Sequence, residues 1–225
     1  IIDEQLIEEY KEALNLINDS SFEDMKAELT FQLGTAYQQI ANGRKHYYVE
    51  ATKCYNKALK TYRKDNYPET YAMIHMNLAL SYLAMPAYDQ NVHLRTATAI
   101  QSLRESLRYL NKDEHTDLWS SATINLANAL QYAKSSHIED NLWEAVALYE
   151  DVLQVRNKAN DPHGYARLIA NQGTALSHLG AFSSAVPKLT EAKQIFEKVG
   201  DLEASKTVDE MLHEIALKKK EFSNQ

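Results

Sequence analysis

Along this chain, apolar and small residues return at spacings of three and four, the pattern of helices that bury one face. One such set occurs four times: Thr30, Leu33, Gly34, Tyr37; His75, Leu78, Ala79, Tyr82; Thr123, Leu126, Ala127, Leu130; and Ile169, Gln172, Gly173, Leu176. A second set follows each one, an Ala with an aromatic residue or Leu four positions on and small or apolar residues a turn later. It reads Ala51, Tyr55, Ala58, Leu59; Ala99, Leu103, Ser106, Leu107; Ala145, Tyr149, Val152, Leu153; and Ala185, Leu189, Ala192. The small residues let two helices approach closely and the large ones fill the space beside them. The pattern therefore predicts a repeated helical hairpin.

The ends extend this reading. Tyr10-Lys11-Glu12-Ala13-Leu14 matches Tyr55-Asn56-Lys57-Ala58-Leu59 in register, so the chain opens on a second helix that lacks its first. We assign 1–20 to this unpaired helix or N-terminal cap, hairpins to 21–64, 69–111, 115–157 and 163–198, a closing amphipathic helix to 201–219 from the N-cap candidate Asp201, and a tail to 220–225. The polar stretches 41–48, 86–96 and 134–141 read as loops inside the hairpins. The expected fold is all-α: about ten antiparallel helices stacked as one right-handed solenoid over 1–225, each repeat burying its face on its neighbours. A start in mid-hairpin, on Ile1, suggests a piece trimmed from something longer, or a helix used as a cap.

The two sets resemble the tetratricopeptide repeat, whose first helix carries a large residue, Leu-Gly and then Tyr, and whose second carries Ala with a spaced aromatic. Segment 165–196 is the nearest match, with Gly173, Gly180, Phe182 and Ala185 at the family's spacing; Gln172 and Lys193 stand where apolar residues are usual. The small residue of the first helix recurs at 34, 79, 127 and 173, intervals longer than the family's ~34. The connection inside the hairpin is expected to hold most of the excess. Segments such as PETYAMIHMNLALSYL resemble the long repeats of bacterial proteins that carry caspase-like CHAT domains.

Composition narrows the function. With 24 Lys and Arg against 31 Asp and Glu, the net charge of −7 disfavours a nucleic-acid backbone as partner. No apolar run reaches the ~20 residues of a membrane span. Cys54 is the single cysteine, so no internal disulfide forms, which leans towards a reducing, cytoplasmic setting. No glycine-rich phosphate loop exists, and His213-Glu214 lacks the second His of a zinc-protease helix, since Leu217 stands there. His75 occupies a large-residue slot and reads as a packed histidine. The sequence calls for no enzymatic activity and no cofactor or metal. A minor reading, a metal-binding accessory, would use His46, His93 and His137, which fall in the expected loops.

The resemblance implies a binding groove on the face lined by the first helices. Asn77, Asn125 and Asn171 recur two residues before the small residue, and Gln32 fills that slot in the first repeat. Amides in register can donate to and accept from the backbone of an extended peptide. Phe31, Met73, Met76, Leu80 and Ile124 are expected to give the groove an apolar centre, with Asn128 and Arg167 adding polar contacts. The expected function is a protein-interaction scaffold binding a peptide or helix of a partner. The alternative is a solenoid that forms a homo-oligomer or docks on another domain of its own chain.

Overall fold

A computed structural model describes residues 4–87 and 91–223, with side chains through Lys220. These residues form ten α-helices and no strand: α1 (Glu4–Leu16), α2 (Glu23–Ile40), α3 (Lys45–Ala58), α4 (Pro68–Ala84), α5 (Val92–Leu107), α6 (Thr116–Tyr132), α7 (Ile138–Leu153), α8 (Pro162–His178), α9 (Phe182–Val199) and α10 (Leu202–Ser223). The all-α architecture follows from the three-and-four periodicity. Two of the four prolines open helices, Pro68 on α4 and Pro162 on α8, where a missing N–H costs nothing. Before Pro162, Asp161 caps α8 by accepting from the Gly164 N–H at 2.8 Å.

The chain divides into two compact units, residues 1–125 and 126–225, with the division falling within α6. In the first unit α1 packs on α2, α2 on α3, α3 on α4 and α4 on α5. Its core gathers Ile7, Phe31, Tyr37, Tyr55, Tyr62 and Ile74. In the second unit α7 packs on α8, α8 on α9 and α9 on α10, around Ile169, Leu176, Leu189, Phe196 and Ile215.

The repeated positions explain the hairpins. Ala51, Ala99, Ala145 and Ala185 are all 0% exposed, and so are Tyr55, Leu103, Tyr149 and Leu189 four residues later. A full turn of the second helix therefore lies against the first. Contact is close enough that a Cβ placed on Gly34 would lie 2.8 Å from Cε1 of Tyr55, and one on Gly173 2.8 Å from Cγ of Leu189. Gly200 closes α9 at φ +85°, which lets the Asp201 N–H reach back to the Phe196 carbonyl at 2.9 Å, and α10 starts at once.

Two expectations about connections are corrected. The loops read at 41–48, 86–96 and 134–141 are shorter than expected, because α3, α5 and α7 begin at Lys45, Val92 and Ile138; part of the second, 88–90, lies outside the described residues. First-turn residues such as Lys45, His46, Glu139 and Asp140 are polar because the N-terminal turn faces solvent with unsatisfied N–H groups, so they mimic loop sequence. The connection inside the hairpin does not hold most of the excess length either. The links between hairpins, 59–67, 108–115 and 154–161, are long as well, whereas α8 and α9 are joined by 179–181 alone. At the end of the chain α10 runs on to Ser223, past the 219 boundary read from the sequence.

Candidate functional site

The polar side chains of the first helices serve the fold before they serve a ligand. In the first unit the Tyr55 hydroxyl donates to Gln38 Oε1 at 2.6 Å. In the second, the Tyr149 hydroxyl lies 2.6 Å from Asn128 Oδ1 and 2.9 Å from Gln131 Oε1. One proton serves one of these oxygens, and the Gln131 amide turned the other way would donate to the hydroxyl. Burial drives both phenols well above their ordinary range, so they stay neutral donors. Gln38 and Gln131 each stand four residues past the small residue of the first helix, and Tyr55 and Tyr149 four past the Ala of the second. The sequence holds this Tyr–Gln correspondence in plain view, yet neither glutamine was among the expected site residues.

The expected amide ladder has a mixed fate. Asn171 donates from Nδ2 to Asn128 Oδ1 at 3.1 Å, so two of the expected residues meet on one face of the second unit. Asn125 turns back on its own helix, donating to the Ser121 carbonyl at 2.8 Å. Gln32 does the same with Glu28 Oε1 at 2.7 Å, and Asn77 hydrogen-bonds the Tyr55 hydroxyl. Each of these amides is half-buried, with a polar group committed to the protein.

The apolar centre read from the sequence is not an exposed strip. Phe31 and Met76 are buried at 7% and 9% exposure, and Met73, Leu80 and Ile124 are half-buried. The reason is helical phase. Phe31 precedes Gly34 by three residues and so shares its face, where its ring lies 6.0 Å from that of Tyr55. Met76 stands in the same relation to Ala79.

An accessible recess instead opens in the second unit, between α8 and α10, with a volume of about 420 Å³. Arg167, Ala170, Asn171 and Thr174 supply one wall at helical spacing. Glu203, Ala204, Thr207, Val208 and Met211 of α10 supply the other, and Phe196 of α9 and Tyr132 of α6 complete the lining. The floor is apolar: Phe196 and Val208 are buried, and Met211 is half-buried with its sulfur 3.2 Å from the Thr174 hydroxyl. The rim is charged. Asp201 sits at the start of α10, where Oδ1 accepts from the Ala204 N–H at 3.0 Å and Oδ2 lies 2.8 Å from His163 Nε2. The His163 hydrogen bond, then the Ala204 N–H, hold its carboxyl below the usual carboxylate range. Of the expected site residues, Arg167 and Asn171 line this recess. The α10 residues were missed because the closing helix reads as a cap, its outward residues being polar.

The remaining candidates are accounted for singly. His46 and His93 lie on the first turns of α3 and α5, not in loops, and His137 stands next to the start of α7, 3.7 Å from Asp140. Among the described residues no group of three or more His, Cys, Asp or Glu could hold a metal. His75 packs its ring 4.5 Å from that of Tyr71; burial lowers its pKa, and Nδ1 is buried without a partner. Burial pushes the Cys54 thiol up to about 11, which makes it inert at neutral pH. No helix among the described residues is long and apolar enough to cross a membrane.

These hairpins, with Ala and Tyr or Leu locked at repeat positions, define a tetratricopeptide-like helical repeat. The fold is similar to that of the crystal structure of MamA, a tetratricopeptide-like protein. That likeness has a TM-score of 0.58 at 18% sequence identity and covers 87% of this chain and 89% of that one. No protein-family profile matches the chain, and no curated protein matches it by sequence.

Proposed function

We propose that this protein is an interaction scaffold that holds an extended segment of a partner protein in the recess between α8 and α10. The observation that carries the reading is the recess itself, an open cleft of about 420 Å³ with an apolar floor and polar groups at its edge. An apolar side chain of the segment fills the space over Val208, Phe196 and Met211, which supplies most of the affinity. The Asn171 amide fixes the register of the segment through its backbone, and Arg167 meets a negative group. No step of chemistry is required. The long-repeat resemblance suits a module that presents such a segment within a larger assembly, and the single, unpaired Cys54 favours a cytoplasmic one.

The test uses random peptides displayed on phage and selected on the wild-type chain. Selected peptides should lose binding to Ala170→Arg, which fills the recess with a long side chain, and should keep binding to Asn125→Ala. Peptides that bind Ala170→Arg as well as wild type would show that the recess is not the site.

A further inference from the structure

The recess carries two opposite charges that the protein leaves unused. Arg167 on α8 and Glu203 in the first turn of α10 both line it. Neither charged group makes an ion pair or hydrogen bond with a described residue, and both residues are exposed. The other charged groups nearby are differently placed. Asp201 is held by His163 and by the Ala204 N–H, and its carboxyl feels Arg167 only as a weak electrostatic neighbour. Lys193 pairs with Asp209, which leaves that carboxylate committed on α10.

An unpaired guanidinium and an unpaired carboxylate on opposite walls, over an apolar floor, form a dipolar site. Such a site favours a ligand that offers both signs at the right separation and disfavours one that offers two of the same sign. We infer that the occupant is a peptide segment with an apolar side chain between an acidic and a basic one, the acid meeting Arg167 and the base meeting Glu203. This inference rests on the peptide-binding reading of the same recess. In an extended segment both residues flanking the apolar one project away from the floor, and a segment lying across the recess sets one above each wall. Each contact is exposed to solvent, so each adds little affinity. Their joint effect is selectivity for dipolar over uniformly charged segments.

The experiment titrates the isotope-labelled chain with four capped pentapeptides whose three central residues are Glu-Leu-Lys, Gln-Leu-Gln, Glu-Leu-Glu and Lys-Leu-Lys, followed by amide chemical shifts. The dipolar peptide should bind about fivefold tighter than each of the others, with shifts centred on Ala170, Asn171 and Met211, and the margin should shrink with added salt. Arg167→Glu should move the preference to Lys-Leu-Lys, and Glu203→Arg should move it to Glu-Leu-Glu. Both substitutions lie on exposed positions, and a thermal melt confirms that the variants fold. Equal binding of all four peptides, with the shifts still centred on the recess, overturns the dipolar inference and leaves the peptide-binding reading standing. Absence of shifts along α8 and α10 with every peptide overturns both.

Discussion

Removing the Tyr149 hydroxyl tests the polar tie at the heart of the third hairpin. Tyr149 is 0% exposed, so Tyr149→Phe keeps the ring, its volume and its packing, and only the hydroxyl contacts change. Asn128 Oδ1 retains the Asn171 donor at 3.1 Å. Gln131 is left worse: it is 4% exposed, and its remaining side-chain contact is a long 3.4 Å approach to the Tyr132 hydroxyl. The intramolecular hydrogen bond itself contributes ~1 kcal/mol net, and stranding a buried amide costs a further ~1 kcal/mol or more, giving a loss of about 2 kcal/mol. In a chain of this size each kcal/mol lowers the melting temperature by ~2–4 °C, so the transition should fall by roughly 4–8 °C. Tyr55→Phe is the internal control, because its partners Gln38 and Asn77 are both half-buried and can turn to water; that variant should lose less. Far-UV circular dichroism reports the melt, and the fluorescence of Trp143 on α7, read in a Trp119→Phe background, reports the unit that holds Tyr149. A Tyr149→Phe melt within a degree of wild type, or a Tyr55→Phe loss as large, would refute the reasoning.

Met76→Glu places a carboxylate at a buried position and should cost several kcal/mol, seen as a drop of ten degrees or more in the melt; an unchanged melt would return Met76 to an exposed groove. Gly173→Ala forces a Cβ to within 2.8 Å of Leu189 Cγ, and the overpacking, ~1–3 kcal/mol, should exceed the ~1 kcal/mol helix preference of Ala over Gly, so urea midpoints should fall. The depressed Asp201 carboxyl stabilises the fold above its ordinary range, and that contribution disappears as pH falls through the depressed value. Asp201→Asn should therefore be less stable than wild type at neutral pH, with the two curves converging in acid; a gap that persists into strong acid would contradict this. Cys54, with its thiol near 11, should alkylate about a hundredfold more slowly at neutral pH in the folded chain than after denaturation, by mass spectrometry.

The sequence revealed the fold well where periodicity was enough. Ala51, Ala99, Ala145 and Ala185, with the residue four places on, are legible because a period of three and four has one structural meaning, and all eight are fully buried. Helix starts were less legible, since Lys45, His46 and Asp140 are polar for reasons of the first turn, not of a loop. The site was legible only in part. Arg167 and Asn171 were found from helical register, but the opposite wall belongs to α10, and the pairing of those two helices is a matter of packing that no local spacing encodes. Phe31 and Met76 were misplaced for the same reason: whether a residue on the border of a helical face is covered depends on a ring such as Tyr55, many residues away.

The Tyr–Gln tie also sets the unit in which this array can be rearranged. Tyr55 with Gln38 and Tyr149 with Gln131 are each internal to one hairpin, while the hairpins between and after them have Leu83 with Leu103 and Ser177 with Leu189 at the corresponding sequence positions. A single helix transplanted between neighbouring hairpins would set a buried hydroxyl against an alkyl chain, or leave a glutamine facing a leucine. A whole hairpin moves with its own donor and acceptor. The boundaries between hairpins are thus the seams for shuffling or duplication of whole hairpins, and in the link 59–67 the core residue Tyr62 has to travel with the hairpin that buries it.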